Sequence, residues 1–497
     1  MRVCLLQPPP SFRGEGCCLP ADYVGVGILS LEAYLRQQGV ETRLVHAPYA
    51  LAAGTDGRRL FDHIARFNPD LTAVGLNWLH LSRGALESAR GLKEVLPGRP
   101  VLLGGHHASL FAEEIVAEHG DVVDGVVLGE AEVPLLRACE ALAAGGGSDA
   151  LRGIPGILTP GRGPHDAPLP PAEIVAAVDD LPLFEHRRVW PSYPRTAMAV
   201  PTQRGRCARR CDYCLESYDG PAWSRRRPAR HSLSRIADQI ELGISEGLDI
   251  VTLEDPFFQR GDSGVQGLAR ELDHRALPLF ELNVFAEPDS FSDRGYAALA
   301  ALRQVQRVTV DYGVETGSPR VAEHLGRRLD PEALVETVAA VAHQGILPYT
   351  WWMVGLPGEG AAELAETEHL IRRTMEHGGI PRWVTPLVLF PQTALYRNRD
   401  AFGIRPRLVR FRHFARFSDQ PRDPEGHYPD LITHETPTMD RFAMAAAARH
   451  LKRVIREQWP TLEAFYGSAP ELRSLWERQT EMLTRNSAQR FHDGSFF

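Results

Sequence analysis

The chain has no cysteine after Cys214, no long apolar run and no excess of positive charge. Each absence removes a class of protein. The seven cysteines are Cys4, Cys17, Cys18, Cys139, Cys207, Cys211 and Cys214, and their odd number and clustering do not form a secreted disulfide framework. Nowhere do about 18 apolar residues run uninterrupted, so no membrane span is expected. The formal net charge of −8 supplies no basic field for a phosphate backbone. Nucleic acid is therefore not the expected partner, and a small-molecule substrate is favoured. The opening Met1-Arg-Val-Cys-Leu-Leu-Gln-Pro-Pro-Pro has neither the length nor the cleavage pattern of a secretory leader, which points to a cytoplasmic location.

What is present is a globular composition, 43% hydrophobic and 24% charged over 497 residues, enough for two or three domains. Residues 1–145 alternate short apolar strands with amphipathic helical patterns. Strands are expected at 3–7, 42–46, 71–76, 100–104 and 124–128, and helices at 28–38, 59–67, 83–96, 110–118 and 132–144. This predicts an α/β unit with a five-stranded, doubly wound parallel sheet. Residues 146–195 are rich in proline and glycine and read as a linker. Alternation resumes over 196–395, with strands expected at 197–201, 250–253, 282–285, 307–310, 348–354 and 383–390. That pattern fits a partial β/α barrel, and a second open sheet is the alternative. Residues 396–497 read as a mainly helical accessory domain, with one helix over 439–458.

Three cysteines crowd into Thr202-Gln-Arg-Gly-Arg-Cys207-Ala-Arg-Arg-Cys211-Asp-Tyr-Cys214. Three thiolates can ligate three irons of a four-iron cluster and leave the fourth iron open to a chelating ligand. A zinc site would want a fourth ligand, for which His231 is the nearest downstream histidine; three unrelated buried thiols are the other alternative.

The CxxxCxxC spacing, with Tyr213 before the last cysteine, resembles radical S-adenosylmethionine enzymes. The resemblance runs over about 195–395. It implies a 4Fe-4S cluster on Cys207, Cys211 and Cys214, with S-adenosylmethionine chelated to the open iron. One electron, from a donor such as flavodoxin or ferredoxin, would then yield a 5′-deoxyadenosyl radical that takes hydrogen from substrate. Within Val251-Thr-Leu-Glu-Asp-Pro, the resemblance makes Glu254 and Asp255 partners of the methionine ammonium; a capped turn with solvated carboxylates is the plainer reading. Tyr312-Gly-Val-Glu-Thr-Gly-Ser resembles the element that sets Glu315 beside the ribose and amino group. Gly355-Leu-Pro-Gly-Glu resembles the strand end near adenine, and is otherwise a tight turn. Phe390-Pro-Gln-Thr departs from the related proline-glycine-threonine pattern. Arg225-Arg-Arg and Arg230 are either solvated or supply one guanidinium for the methionine carboxylate. No later cysteines exist for auxiliary clusters.

The amino-terminal unit resembles the cobalamin-binding domain of cobalamin-dependent radical enzymes, on Val24-Gly-Val-Gly-Ile-Leu-Ser, Leu102-Leu-Gly-Gly-His-His-Ala-Ser and Val127-Leu-Gly-Glu-Ala-Glu. It implies a corrinoid near Asn77, Trp78, Gly104, Gly105, His107, Ser109, Gly129 and Glu130. The DxHxxG element that supplies a lower axial histidine is absent, and His106 and His107 read as hydrogen-bonding surface residues rather than cobalt ligands. The resemblance implies methyl transfer from methylcobalamin to an unactivated carbon of a small molecule such as a natural product. The alternatives are cyclisation, ring rearrangement or oxidation without methylation, or a non-catalytic iron–sulfur and corrinoid-binding protein. Trp351, Trp352 and Met353 read either as substrate-pocket residues or as core.

Overall fold

The computed structural model describes residues 1–12, 24–161, 171–188, 197–217, 227–254, 258, 261–419 and 429–477. Its amino-terminal sheet contains β1 (Arg2–Gln7), β2 (Glu41–His46), β3 (Leu71–Gly75), β4 (Val101–Gly104), β5 (Gly125–Val127) and β6 (Ile157–Leu158) in the order β2-β1-β3-β4-β5-β6. The first five strands are parallel, and alternate residues of β1 feed two different cores. Val3 and Leu5 pack with the helix Val26–Gln37, while Cys4 and Leu6 pack with helices Gly57–Phe67 and Ser82–Val95. Helices therefore cover both faces. The strand order reverses between β1 and β3, where a doubly wound sheet opens its ligand crevice.

One expectation needs correction. The sheet has six strands, and β6, antiparallel to β5, lies inside the stretch expected to be linker. Two residues carry no periodicity to read.

The second sheet contains β7 (Ala197–Val200), β10 (Ile250–Leu253), β11 (Phe280–Ala286), β12 (Val305–Glu315), β13 (Ile346–Val354) and β14 (Ile380–Pro386); β8 (Gln203–Arg204) and β9 (Ala229–Arg230) form a small antiparallel ribbon beside it. Its order, β14-β13-β12-β11-β10-β7, never reverses, and every pairing is parallel. Right-handed crossovers then place all the helices on one face. Accordingly, Val284 of β11 and Val310 of β12 share one core with Ile240, Val265, Leu299, Val338 and Ile371 from five helices. The other face is left for Asn283, Phe285, Asp311 and Glu315. This is a half barrel, not a second doubly wound sheet. Relative to the sequence reading, β12 continues through Glu315, and β14 starts at Ile380 and stops at Pro386 instead of reaching Phe390.

The tail contributes to both cores. The helix Arg441–Gly467, longer than the one read at 439–458, starts on an Asp440 cap, carries Pro460 and buries Met444, Ala448, Leu451 and Tyr466 in the half-barrel core. Before it, Phe411 and Phe414 enter the core of the amino-terminal sheet, and β15 (Arg405–Pro406) pairs with β16 (His434–Glu435).

Candidate active site at the mouth of the half barrel

The cysteine loop connects β8 to β9. Main-chain hydrogen bonds hold it: Asp212 N donates to Leu325 O (3.1 Å), Leu395 N to Asp212 O (2.8 Å), Cys207 N to Glu216 O (2.9 Å) and Cys214 N to Cys211 O (3.1 Å). Arg210 takes a left-handed φ of 57°, unusual for a residue with a side chain. Burial pushes the Cys207 thiol up to about 11 and raises Cys211 and Cys214 as well; neighbouring cysteine charges add to the rise at Cys207 and Cys214, and the Glu287 and Glu315 carboxylates add to it at Cys211. Thiols so placed lose their protons to solvent when a metal binds the sulfur. Among the described residues no three His, Cys, Asp or Glu side chains stand at the spacing of a single ion. Thiolates that each hold a different iron do not need that spacing; a tetrahedral zinc does. His231, the fourth ligand a zinc site would recruit, bonds Asp179 through Nδ1 at 3.0 Å.

A buried polar network adjoins the loop. Where β12 pairs with β13, Gly313 faces Trp351 and Glu315 faces Trp352, so Val314 is an extra, bulged residue, and Glu315 takes a φ of 72°. Bulges of this kind re-aim side chains. Glu315 Oε1 accepts the Tyr213 hydroxyl (2.9 Å) and lies 3.6 Å from Arg327 Nη1. Arg327 also donates to Tyr213 Oη (3.2 Å), Glu287 Oε2 (2.8 Å) and Gly313 O (2.6 Å). Two carboxylates thus share one guanidinium, and burial raises the pKa of both Glu315 and Glu287. An added cation such as an ammonium would complete the charge balance. Glu287 and Arg327 went unnoticed in the sequence. Glu287 had a signal, since Glu254, Glu287 and Glu315 each end a successive strand; Arg327 reaches the site from the far side of a helix and had none.

Glu254 follows β10, its N–H bonded to Val200 O at 2.9 Å. Asp255, Arg225 and Arg226 lie outside the described residues. Arg230 sits exposed on β9, and no described contact ties it to the carboxylate network. Gly355 ends β13 with φ 79°, and a Cβ there would come within 2.7 Å of the Met444 sulfur. Its N–H and that of Leu356 donate to Glu359, and its carbonyl meets His434 Nε2 at 2.8 Å. Burial lifts the fully enclosed Glu359 to about 7. Neither Glu359 nor His434 was picked out from sequence. The tryptophan pair divides: Trp352 is core, whereas Trp351 faces the open side and donates to Asp311.

The residues assigned to a corrinoid gather at the carboxyl ends of β3, β4 and β5. Asn77 Oδ1 accepts from His106 N at 3.2 Å, and a Cβ on Gly105 (φ 109°) would strike it at 2.3 Å. Ser109 Oγ accepts from Gly129 N at 3.1 Å. Trp78, 50% exposed, stands beside the switch point. Gly104 and Gly105 bring no side chain to this edge: Gly105 makes room for Asn77, and a Cβ on Gly104 would lie against Val127. His107 departs from the expectation of a surface histidine. It is 1% exposed, packed against Phe111 (4.9 Å) and Phe414 (5.2 Å), with Nε2 lacking a partner among the described residues. Burial drives its pKa down to about 3. Its wall comes from Phe411 and Phe414, some three hundred residues away, which no local pattern announces.

The two candidate cofactor edges meet. His106 Nδ1 lies 3.5 Å from Glu216 Oε1 of the cysteine loop, and Arg204 donates to Glu132 Oε1 (2.7 Å) and Ser30 Oγ (2.6 Å) while standing 4.0 Å from Glu130.

Comparisons with known proteins agree with this division. The B12 binding domain model matches residues 16–138, and the radical SAM superfamily model matches 204–371. Over 321 residues, 61% of this chain and 64% of the relative, the sequence is 24% identical to an uncharacterized methyltransferase of Pyrococcus horikoshii. Over 140 residues, 28% of this chain and 26% of the relative, it is 29% identical to the hopanoid C-3 methylase of Methylococcus capsulatus. The chain thus spans under two thirds of the length of either relative. Among solved structures, the radical S-adenosylmethionine methyltransferase TsrM from Kitasatospora setae, with cobalamin and a [4Fe-4S] cluster bound, superposes with a TM-score of 0.64 at 16% identity over 93% of this chain and 88% of that one. A second TsrM structure, with tryptophan substrate and an S-adenosylmethionine analogue, gives 0.63 at 18% identity over 95% and 88%. The cobalamin-dependent radical enzyme OxsB, with aqua-cobalamin and S-adenosylmethionine, gives 0.67 at 14% identity over 97% and 71%. These likenesses establish a shared fold. No helix among the described residues is long and apolar enough to cross a membrane.

Proposed function

Because residues 16–138 match a B12 binding domain model and residues 204–371 a radical SAM superfamily model, we propose that the protein is an enzyme that transfers a methyl group to an unactivated carbon of a small molecule. The observation that carries the reading is the contact of His106 with Glu216, which sets the open edge of the amino-terminal sheet directly against the cysteine loop. When bound, the cluster and S-adenosylmethionine supply a radical that removes hydrogen from substrate carbon, and cobalamin supplies the methyl group. The protein's part is to bind, orient and exclude water.

Cys207, Cys211 and Cys214 hold the cluster. Glu315 and Glu287, sharing Arg327, receive the methionine ammonium, with Glu254 and Asp255 as further partners. Tyr213 holds the Glu315 carboxylate in place. Gly355 turns the chain at the adenine end of β13, its missing side chain making room for Met444, and Glu359 fixes that turn through two backbone N–H bonds. Asn77, Trp78, Gly104, Gly105, Ser109, Gly129 and Glu130 form the corrinoid edge; His107, walled in by phenylalanines, shapes that edge from behind. Arg204 keeps the two domains in register. An electron donor such as flavodoxin or ferredoxin completes the system. Carbon methylation is supported by the name of the hopanoid C-3 methylase, and a small-molecule substrate by the tryptophan in TsrM.

The test is a visible spectrum of anaerobically purified, cobalamin-supplemented protein together with product masses from candidate substrates. Corrinoid bands and a product heavier by one methyl group are expected. Absence of corrinoid bands refutes the cobalamin role, and a product without added methyl favours cyclisation, rearrangement or oxidation.

A further inference from the structure

We propose that the open face of β11–β14 carries a substrate subsite for a flat, conjugated molecule bearing a carboxylate, with Arg382 as its anion-binding residue. The inference rests on the functional reading above, since it takes the half-barrel interior as the substrate's place.

The position follows from the strands. Asp311, Gly313 and Glu315 share the open face of β12, and because β13 covers the same span in three steps, Tyr349 to Trp352, Asp311 lies about 10 Å below Glu315 at about 3.3 Å per residue. That is the depth of one small molecule beneath the cofactor end of the barrel. At this level the face is aromatic. Trp351 stacks on Trp383 with ring centres 5.6 Å apart and planes at 27°, and Phe285 lies 6.3 Å from Trp351. The Trp351 ring is fixed, because its Nε1 donates to Asp311 at 2.6 Å. Asp311 is fully buried and also accepts from Asn283 Nδ2. With its donors in place, this carboxylate is a support for the wall and not a receptor for an amine.

The cation is different. Thr350 of β13 pairs with Pro381 of β14 and Trp351 pairs with Trp383, which leaves Arg382 as an extra residue in β14. Such a bulge breaks the strict alternation of faces, so Arg382 and the adjacent Trp383 can serve the same side. The Arg382 guanidinium lies over the rings of Tyr349 (5.0 Å) and Trp351 (5.6 Å). Its ion-pair partner, Asp311, is 3.4 Å away, and the Arg382 side chain remains 44% exposed. A planar fork lying on aromatic rings, held by one long contact, keeps donors for a bidentate carboxylate. Trp383 Nε1, on the next residue, is buried with no partner among the described residues, and an acceptor on the ligand would satisfy it. The remaining charges nearby, Glu281 and Arg307, pair with each other. Aromatic wall, stacked guanidinium and spare indole N–H together select a planar acid over a planar amine or a saturated acid.

The test is calorimetric titration of the reconstituted full-length protein with three probes: 2-naphthoate, 2-naphthylmethylamine and cyclohexylacetate. Wild type is expected to bind 2-naphthoate about tenfold more tightly than either of the others, the scale of one charge-assisted hydrogen-bonded contact. Arg382→Ala should lose about that factor for 2-naphthoate and little for the amine. Arg382→Lys should recover part of it, and Trp383→Phe should weaken the acid by a smaller factor. Equal binding of all three probes, no binding of 2-naphthoate, or an Arg382→Ala protein that binds it like wild type overturns the proposal. The same wild-type sample is assayed for 5′-deoxyadenosine with S-adenosylmethionine and reductant. Its absence counts against the radical chemistry and leaves the probe ranking standing, so the two failures are told apart.

Discussion

Tyr213 and Glu315 meet across the mouth of the half barrel, the phenol hydroxyl 2.9 Å from the carboxylate. One residue belongs to the cysteine loop and the other to a bulged strand end, so the bond ties the cysteine loop to the end of β12. Glu315→Gln keeps the shape and removes the charge. It should weaken S-adenosylmethionine binding by about tenfold or more, the worth of a hydrogen bond to a charged group. Tyr213→Phe should cost less, because the carboxylate keeps Arg327. Equilibrium binding of S-adenosylmethionine to the reconstituted variants, with circular dichroism as a folding control, measures both; wild-type affinity in Glu315→Gln contradicts the assignment.

Arg204 is the joint between the two domains. It pairs with Glu132, which is nearly enclosed, and bonds Ser30. Arg204→Met leaves the Glu132 charge buried without its partner, a loss of about 3–5 kcal/mol. The thermal midpoint should fall, and Arg204→Met combined with Glu132→Leu should recover much of it. A single variant as stable as wild type would show that the joint carries no energy.

How much of this was legible in the sequence depends on range. The buried parallel strands read as apolar runs, and the doubly wound unit followed from them. The cysteine triplet with Tyr213 announced itself because its ligands are local. Features made by distant partners stayed hidden. The bulges at Val314 and Arg382 exist only relative to neighbouring strands, and β6 is two residues long. Arg327 reaches Glu315 from another element. His107 looked like a surface histidine because Phe411 and Phe414, which enclose it, arrive from the tail.

That enclosure is testable. Phe414 belongs to the core of the amino-terminal sheet, so Phe414→Ala should cost about 3–5 kcal/mol through the cavity it leaves. Limited proteolysis should then cut the amino-terminal domain faster than in wild type. If instead only the tail becomes sensitive, the tail is a loose appendage.

Buried neutral histidines set the acid limb of stability. Burial holds His107 at about 3 and His80 and His434 at about 4, all below the ordinary 6.5. The unfolded chain therefore takes up protons that the folded chain refuses. Their contribution is complete above pH 6.5 and declines as pH falls toward 4, by up to about 1.4 kcal/mol per pH unit for each histidine. Glu359, raised to about 7, works the other way: its contribution is complete below about 4.5 and is lost as pH rises through 7. His231, also held at about 4, joins these histidines, and the raised Glu315 and Glu287 join Glu359 against them, so the test is the difference between proteins: urea unfolding should show less loss of stability from pH 6.5 to 4.5 in His107→Phe than in wild type. An unchanged slope in that variant would place His107 in water.

The central claim is that one chain brings a cluster, S-adenosylmethionine and cobalamin to a single site for methyl transfer. The most direct measurement uses protein reconstituted with iron, sulfide and cobalamin, incubated anaerobically with reductant and S-adenosylmethionine carrying a trideuterated methyl group. Mass spectrometry then reads the corrinoid and the nucleoside. The account predicts deuterated methyl on the corrinoid and 5′-deoxyadenosine in solution, both abolished in Cys211→Ala; an unlabelled corrinoid beside intact S-adenosylmethionine would contradict it.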